Sequence, residues 1–156
     1  MEALIKMTKE AKATIESKVE ADFKQYVWKE AEKASELGLF VVSIYSMAPQ
    51  DLQTRVIKAE GFDIYMQNFD THGYMISWGN NPNHVLYKKS AEVYFEVSQK
   101  IWEAARDAGE CGHFSCHVAF ENNEWMETYE MVAESEGFKV ECELHLPRIK
   151  ISWDET

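Results

Sequence analysis

The sequence predicts an α+β fold built as a tandem duplication of a helix-strand-helix-strand-strand unit, with mixed sheets covered by helices and a pseudo-twofold relation between the copies. Three observations lead there. Shifting the chain by 74 positions puts Val19 on Val93, Gln25 on Gln99, Trp28 on Trp102, Ala31 on Ala105, Gly38 on Gly112 and Phe40 on Phe114. The correspondence resumes at Glu60, Gly61 and Phe62 against Glu136, Gly137 and Phe138, and ends at Ile76, Ser77 and Trp78 against Ile151, Ser152 and Trp153. Within each copy the apolar spacing switches between three-to-four and two, the marks of helix and strand. An apolar content of 46% over 156 residues is ample for one shared core, whereas half that length is marginal alone.

The elements follow in order. Residues 8–37 repeat apolar side chains at Ile15, Val19, Phe23, Tyr26, Val27, Ala31 and Ala34, one face of an amphipathic helix that Gly38 stops. A strand covers residues 39–45, with Phe40, Val42 and Ile44 on one face. Pro49 opens a short helix whose apolar side is Leu52, Val56 and Ile57, and Gly61 closes it. Strands over 62–69 and 74–78 turn at Gly73. The second copy starts its helix after Asn83, an N-cap residue, and buries Val93, Val97, Ile101, Ala104, Ala105 and Ala108. A strand over 113–120 follows, then a helix carrying Trp125, Met126, Tyr129, Val132 and Ala133, and strands over 138–146 and 148–153. Strand, helix and strand should form a right-handed parallel crossover, and the last two strands an antiparallel hairpin. The copies divide as residues 1–79 and 80–156, with the short linker at Asn80 to Asn83, and together form one compact domain.

Composition narrows the function. A net charge of −11 disfavours nucleic acid as a partner, because phosphate binding depends on lysine and arginine displacing counterions. The charge is uneven: residues 1–78 hold 12 acids against 9 bases, while 79–156 hold 15 against 7. No run reaches the roughly 18 apolar residues of a membrane span, and three cysteines, an odd number, argue against a disulfide framework. The expectation is a cytoplasmic protein with no membrane partner.

The second copy carries the distinctive residues. Glu121, Glu124, Glu127, Glu130 and Glu134 recur at helical spacing, and Glu141 and Glu143 extend the negative field; the matching helix of the first copy has Arg55 and Lys58 instead. Like charges at that spacing cost stability without structural return, so the stripe is a candidate surface for a partner with a basic patch. Cys111, His113, His117, Cys142 and His145 offer sulfur and imidazole ligands, with Cys116 facing the core in place of Val42. Without a paired CxxC knuckle, the expectation is no metal and no cofactor. No nucleophile elbow, phosphate loop or HExxH motif is present, and the protein is expected not to be an enzyme. A second possibility is a small-ligand binder that sequesters a nucleotide signal, using Tyr45, Tyr65, Arg148 and Lys150. DNA mimicry ranks lower, because the stripe is short and the first copy nearly balanced.

The helix ending in Gly61-Phe62 and the hairpin ending in Ile76-Ser77-Trp78, repeated as Gly137-Phe138 and Ile151-Ser152-Trp153, resemble units of small accessory proteins of tailed bacteriophages. The resemblance covers most of both copies and brings no catalytic residues. It implies a small acidic protein in the host-cell cytosol that binds and inhibits or modulates a host protein such as a protease, nuclease or defence factor. Homodimerisation is a further expectation, since open sheet edges find their own copies.

Overall fold

A computed structural model describes residues 1–68, 73–143 and 145–154. The chain forms two units. Unit 1 comprises Met1–Ala34 and Phe40–Tyr87, and unit 2 comprises Ser35–Leu39 and Lys88–Thr156. The units are therefore interleaved and do not follow the 1–79 and 80–156 halves residue for residue.

The first helix, α1 (Glu2–Glu36), is longer than its apolar pattern indicated. Only its C-terminal half packs: Phe23, Val27, Ala31 and Ala34 are buried, while Ile15, expected on the inner face, is 64% exposed. The reason is length. A 35-residue helix runs about 52 Å, whereas a five-residue strand spans only about 17 Å. Val41–Tyr45 (β1), Gln50–Ala59 (α2), Asp63–Asn68 (β2) and Gly73–Ser77 (β3) complete unit 1. Pro49 is the N-cap of α2, where its missing N–H costs nothing. Phe69, the expected end of the second strand, lies outside the described residues.

The sheets correct one expectation. They are antiparallel throughout, not mixed, with order β1-β3-β2. Strands β1 and β2 do run in the same direction, but the returning hairpin strand β3 inserts between them and pairs with both. Its inward side chains explain why it takes the centre: Tyr74 and Ile76 are buried, and Trp78 just beyond is fully so. Both faces of a side chain row gain neighbours there, which an edge strand cannot offer. Tyr65 is the extra residue where the β2 register shifts.

Unit 2 has the same element order. Helix α3 (Tyr87–Glu110) precedes β4 (Ser115–Ala119), a short 3₁₀ turn (Asn123–Trp125), α4 (Met126–Ser135), β5 (Lys139–Cys142) and β6 (Arg148–Ser152), with sheet order β4-β6-β5. Helix α3 begins at Tyr87 rather than after Asn83. Asn81 draws the preceding residues into turns: its carbonyl accepts the His84 N–H, and its Oδ1 accepts that of Asn83. The core of unit 2 gathers Val93, Val97, Ile101, Val132, Ile149 and Ile151, with Cys116 partly buried against it. Ser35–Leu39 is clasped there: Thr128 Oγ1 donates to the Leu37 carbonyl at 2.6 Å and Ser90 Oγ to the Leu39 carbonyl at 2.7 Å.

Both units close the second helix in the same way. Phe62 N–H reaches the Ile57 carbonyl and Phe138 N–H that of Ala133, so Gly61 and Gly137 sit at φ +83° and +92°, where a Cβ is strained. The phenylalanine that follows packs edge-on against two tryptophans. Trp28–Phe62 and Trp102–Phe138 centroids are 5.1 and 4.9 Å apart; Phe62–Trp78 and Phe138–Trp153 are both 5.9 Å apart. In each, the first tryptophan's Nε1 donates to a glutamate, Trp28 to Glu60 at 2.9 Å and Trp102 to Glu136 at 3.1 Å.

Candidate interaction surface

The acidic stripe is built by the turn into α4. Asn122, with extended backbone, accepts the Glu124 N–H on its side chain at 2.9 Å and starts the 3₁₀ turn from which α4 continues. Thr128, Tyr129, Val132 and Ala133 then face the core. The helical period places Glu124, Glu127 and Glu134 outward, all exposed, with Glu121 exposed just before the turn and Glu130 half-buried.

The energetics differ along the stripe. Near the N-terminal end, Glu124 and Glu127 meet the positive pole of the helix; Glu134 lies in the last turn, beside the negative pole, with no basic residue there. None of Glu121, Glu124, Glu127, Glu130 and Glu134 makes a salt bridge with a described residue. Glu130 and Glu134 do act on Cys142, whose thiol is pushed up first by burial and then by these carboxylates. In unit 1 the corresponding helix carries Arg55, paired with Glu20 of α1 at 3.3 Å.

Glu141 and Glu143 belong to a different setting. They lie on β5 and just after it, beside basic groups of the same sheet. Glu143 accepts from His117 Nε2 at 2.9 Å and from Arg148 Nε at 2.5 Å, and the Arg148 hydrogen bond foremost holds its carboxyl below the usual range. Lys150 stands 4.0 Å from Glu141. One cluster thus combines two expected partner-binding glutamates, two basic residues expected at a nucleotide and a histidine considered for metal. Its charges largely offset one another.

The remaining candidates are dispersed. Tyr45 borders a cleft with Phe23, Tyr26 and Met47, and Tyr65 a separate one with Thr54, Lys58 and Gln67. Cys111 and His113 are exposed in the turn after α3, so His113 precedes β4 and does not share a strand face with His117. His145 is exposed in the β5–β6 turn. Among the described residues no three His, Cys, Asp or Glu side chains converge to hold a metal ion. No described helix is long and apolar enough to cross a membrane.

One residue that sequence reasoning passed over is central to unit 1. His84 is only 7% exposed, stacks on Trp28 at 5.5 Å and lies 4.6 Å from the Phe62 ring. Its Nδ1 accepts the Leu86 N–H at 3.2 Å, which leaves Nε2 to carry the proton toward the Glu60 carbonyl at 3.3 Å. Burial pushes its pKa below the ordinary 6.5. The signal available was a lone histidine six residues beyond Trp78, directly after the Asn80 to Asn83 linker. Comparison with protein-family models, curated proteins and solved structures finds no match to this chain.

Proposed function

We propose that the protein is a non-catalytic binding protein that docks on a basic surface of a host protein, such as a protease, nuclease or defence factor, and inhibits or modulates it. The observation that carries this reading is the run Glu121, Glu124, Glu127, Glu130 and Glu134, which lacks salt bridges to described residues and ends at the unfavourable pole of α4. Carboxylates so arranged draw in a cationic surface and orient it, which raises association rate more than intrinsic affinity. We read the cytosol of the host cell as its place of action, in keeping with the bacteriophage resemblance. We also read the two units as products of a tandem duplication; their matched glycines, tryptophan–glutamate bonds and ring spacings support this. Each three-stranded sheet keeps two edge strands, a means of forming a homodimer.

Affinity capture from bacterial lysate tests the proposal. One stoichiometric protein should be retained at low salt and released as ionic strength rises. Reversal of Glu124, Glu127 and Glu134 to lysine should abolish its capture while thermal stability stays near that of the unaltered chain. Capture that survives both the reversal and high salt excludes the acidic face as the docking surface.

A further inference from the structure

One cleft recurs in both units, beside the first helix of each and the segment that leaves its first strand. In unit 1 it lies between α1 and the β1–α2 connection, a space of about 540 Å³ bordered by Asp22, Tyr26 and Met47 among others. In unit 2 it lies between α3 and the β4–α4 connection, a space of about 320 Å³ where Glu96, Lys100 and Glu121 stand at the positions 74 further along. The place is shared and the chemistry is not. Among the described residues that border it, the unit 1 cleft has a single carboxylate, Asp22, and no cation, and its Tyr26 hydroxyl accepts the Tyr45 N–H at 3.3 Å. The unit 2 cleft sets two carboxylates and an ammonium around an aromatic wall.

That wall is built from three rings. Phe120 and Tyr129 have centroids 4.7 Å apart at 34°, and Trp125 meets Tyr129 edge-on at 6.4 Å. Tyr129 is buried, whereas Phe120 and Trp125 are half-buried and border the opening. The charges around the rings are held apart. Glu96 and Lys100 are four residues apart on α3 in the order that favours an ion pair. Lys88 and Glu92, in the poorer order on the same helix, do approach to 3.9 Å. Yet among the described residues none of Glu96, Lys100 and Glu121 forms a salt bridge. Lys100 turns instead to the Tyr129 hydroxyl, whose pKa burial pushes up and the ammonium draws back.

We propose that the unit 2 cleft binds a free α-amino acid with an aromatic side chain. Such a molecule carries an ammonium and a carboxylate on one carbon, and so bridges the gap that Glu96 and Lys100 leave open. Its ammonium donates to Glu96 and Glu121, and its carboxylate accepts from Lys100 and the Tyr129 hydroxyl, all charge-assisted hydrogen bonds. Its ring lies against Phe120 and Trp125, and the volume is at the small end of the range for small-molecule sites. This function is additional to docking on a host protein: it needs no partner and shares only Glu121 with the acidic run.

L-phenylalanine is the probe, titrated into the full protein and followed by NMR through the Trp125 indole N–H. That signal should move saturably with half-saturation below about 1 mM, while those of Trp28 and Trp78 in unit 1 stay in place. Phenethylamine, which lacks the carboxylate, and 3-phenylpropionate, which lacks the ammonium, should each bind at least about tenfold more weakly. Lys100→Met should bring phenylalanine down to the level of phenethylamine without weakening phenethylamine itself. No shift at millimolar phenylalanine overturns the site. Phenethylamine binding as tightly as phenylalanine overturns the proposal in favour of a plain cation site, and L-alanine binding as tightly overturns its aromatic half. If Lys100→Met fails to fold, the series of ligands on the unaltered protein still decides the matter.

Discussion

His84 shows how one residue couples folding to pH. Folded, it is held neutral by burial, with its pKa below the ordinary 6.5, whereas the unfolded chain takes up a proton there near 6.5. Between the folded value and about 6.5 the unfolded state binds more protons, so stability rises with pH across that window and levels above it. Urea denaturation at a series of pH values should show the unfolding free energy of the wild type falling as pH drops below about 6.5. His84→Phe should flatten that part of the curve. It should also cost about 1–3 kcal/mol at neutral pH, because the Leu86 N–H and the Glu60 carbonyl lose their partner. An unchanged slope in the variant would assign the pH dependence elsewhere. Glu60 contributes at lower pH: with its carboxyl below its ordinary value, chiefly through the Lys24 hydrogen bond, its contribution is complete above the unfolded carboxyl range and fades as pH falls through the folded value.

At the scale of elements, α1 divides into a packed half and a free one. Residues 1–18 are all exposed, held helical by continuity with the packed turns, where the nucleation cost is already met, and by weak pairs such as Lys12 with Glu16 at 3.8 Å. Those pairs run Lys before Glu, the less favourable order. Deleting residues 2–17 should lower the helical circular dichroism yet change the unfolding free energy by less than about 0.5 kcal/mol. A larger loss would mean that Leu4, Ile5, Met7 or Ile15 is buried in solution. Much of this architecture was legible from residues. The paired glycines, the Gly-Phe turns and the tryptophans marked element ends correctly, since each reports a local backbone or packing requirement. Strand order was not legible: β3 and β1 are brought together by tertiary packing, and periodicity says only that each is a strand. The same limit applied to His84. Asn83 satisfied a helix-cap rule so well that the turn actually made by Asn81, and the imidazole it delivers, went unread. That Glu127, Glu130 and Glu134 lie together on α4 was legible because charge at helical spacing is a local signal; that Glu141 and Glu143 sit among basic groups depended on sheet pairing.

For the whole molecule, the decisive feature is the short segment Ser35–Leu39, assigned to unit 2 although it lies 49 positions ahead of Lys88, where the rest of that unit begins. Its carbonyls are met by the hydroxyls of Ser90 and Thr128, and Thr128 is wholly buried. Thr128→Val keeps the shape and removes the donor, leaving the Leu37 carbonyl short of a partner; unfolding free energy should fall by about 1–2 kcal/mol, measured by chemical denaturation. A change near zero would show that water replaces the hydroxyl there.

The interleaving of the units has a genetic consequence. Since unit 1 takes residues from both sides of Ser35–Leu39, no single cut in the coding sequence separates two complete units. Expressing either half by itself withholds a piece from one of them, and a circular permutant opened at Tyr87 keeps all the pieces but relocates the tether. During synthesis, Leu37 leaves the ribosome 91 residues ahead of Thr128, so the clasp can form only once Thr128 has itself emerged. Unit 2 is for that reason the later to be finished, and a nonsense mutation anywhere before Thr128 removes its fastening.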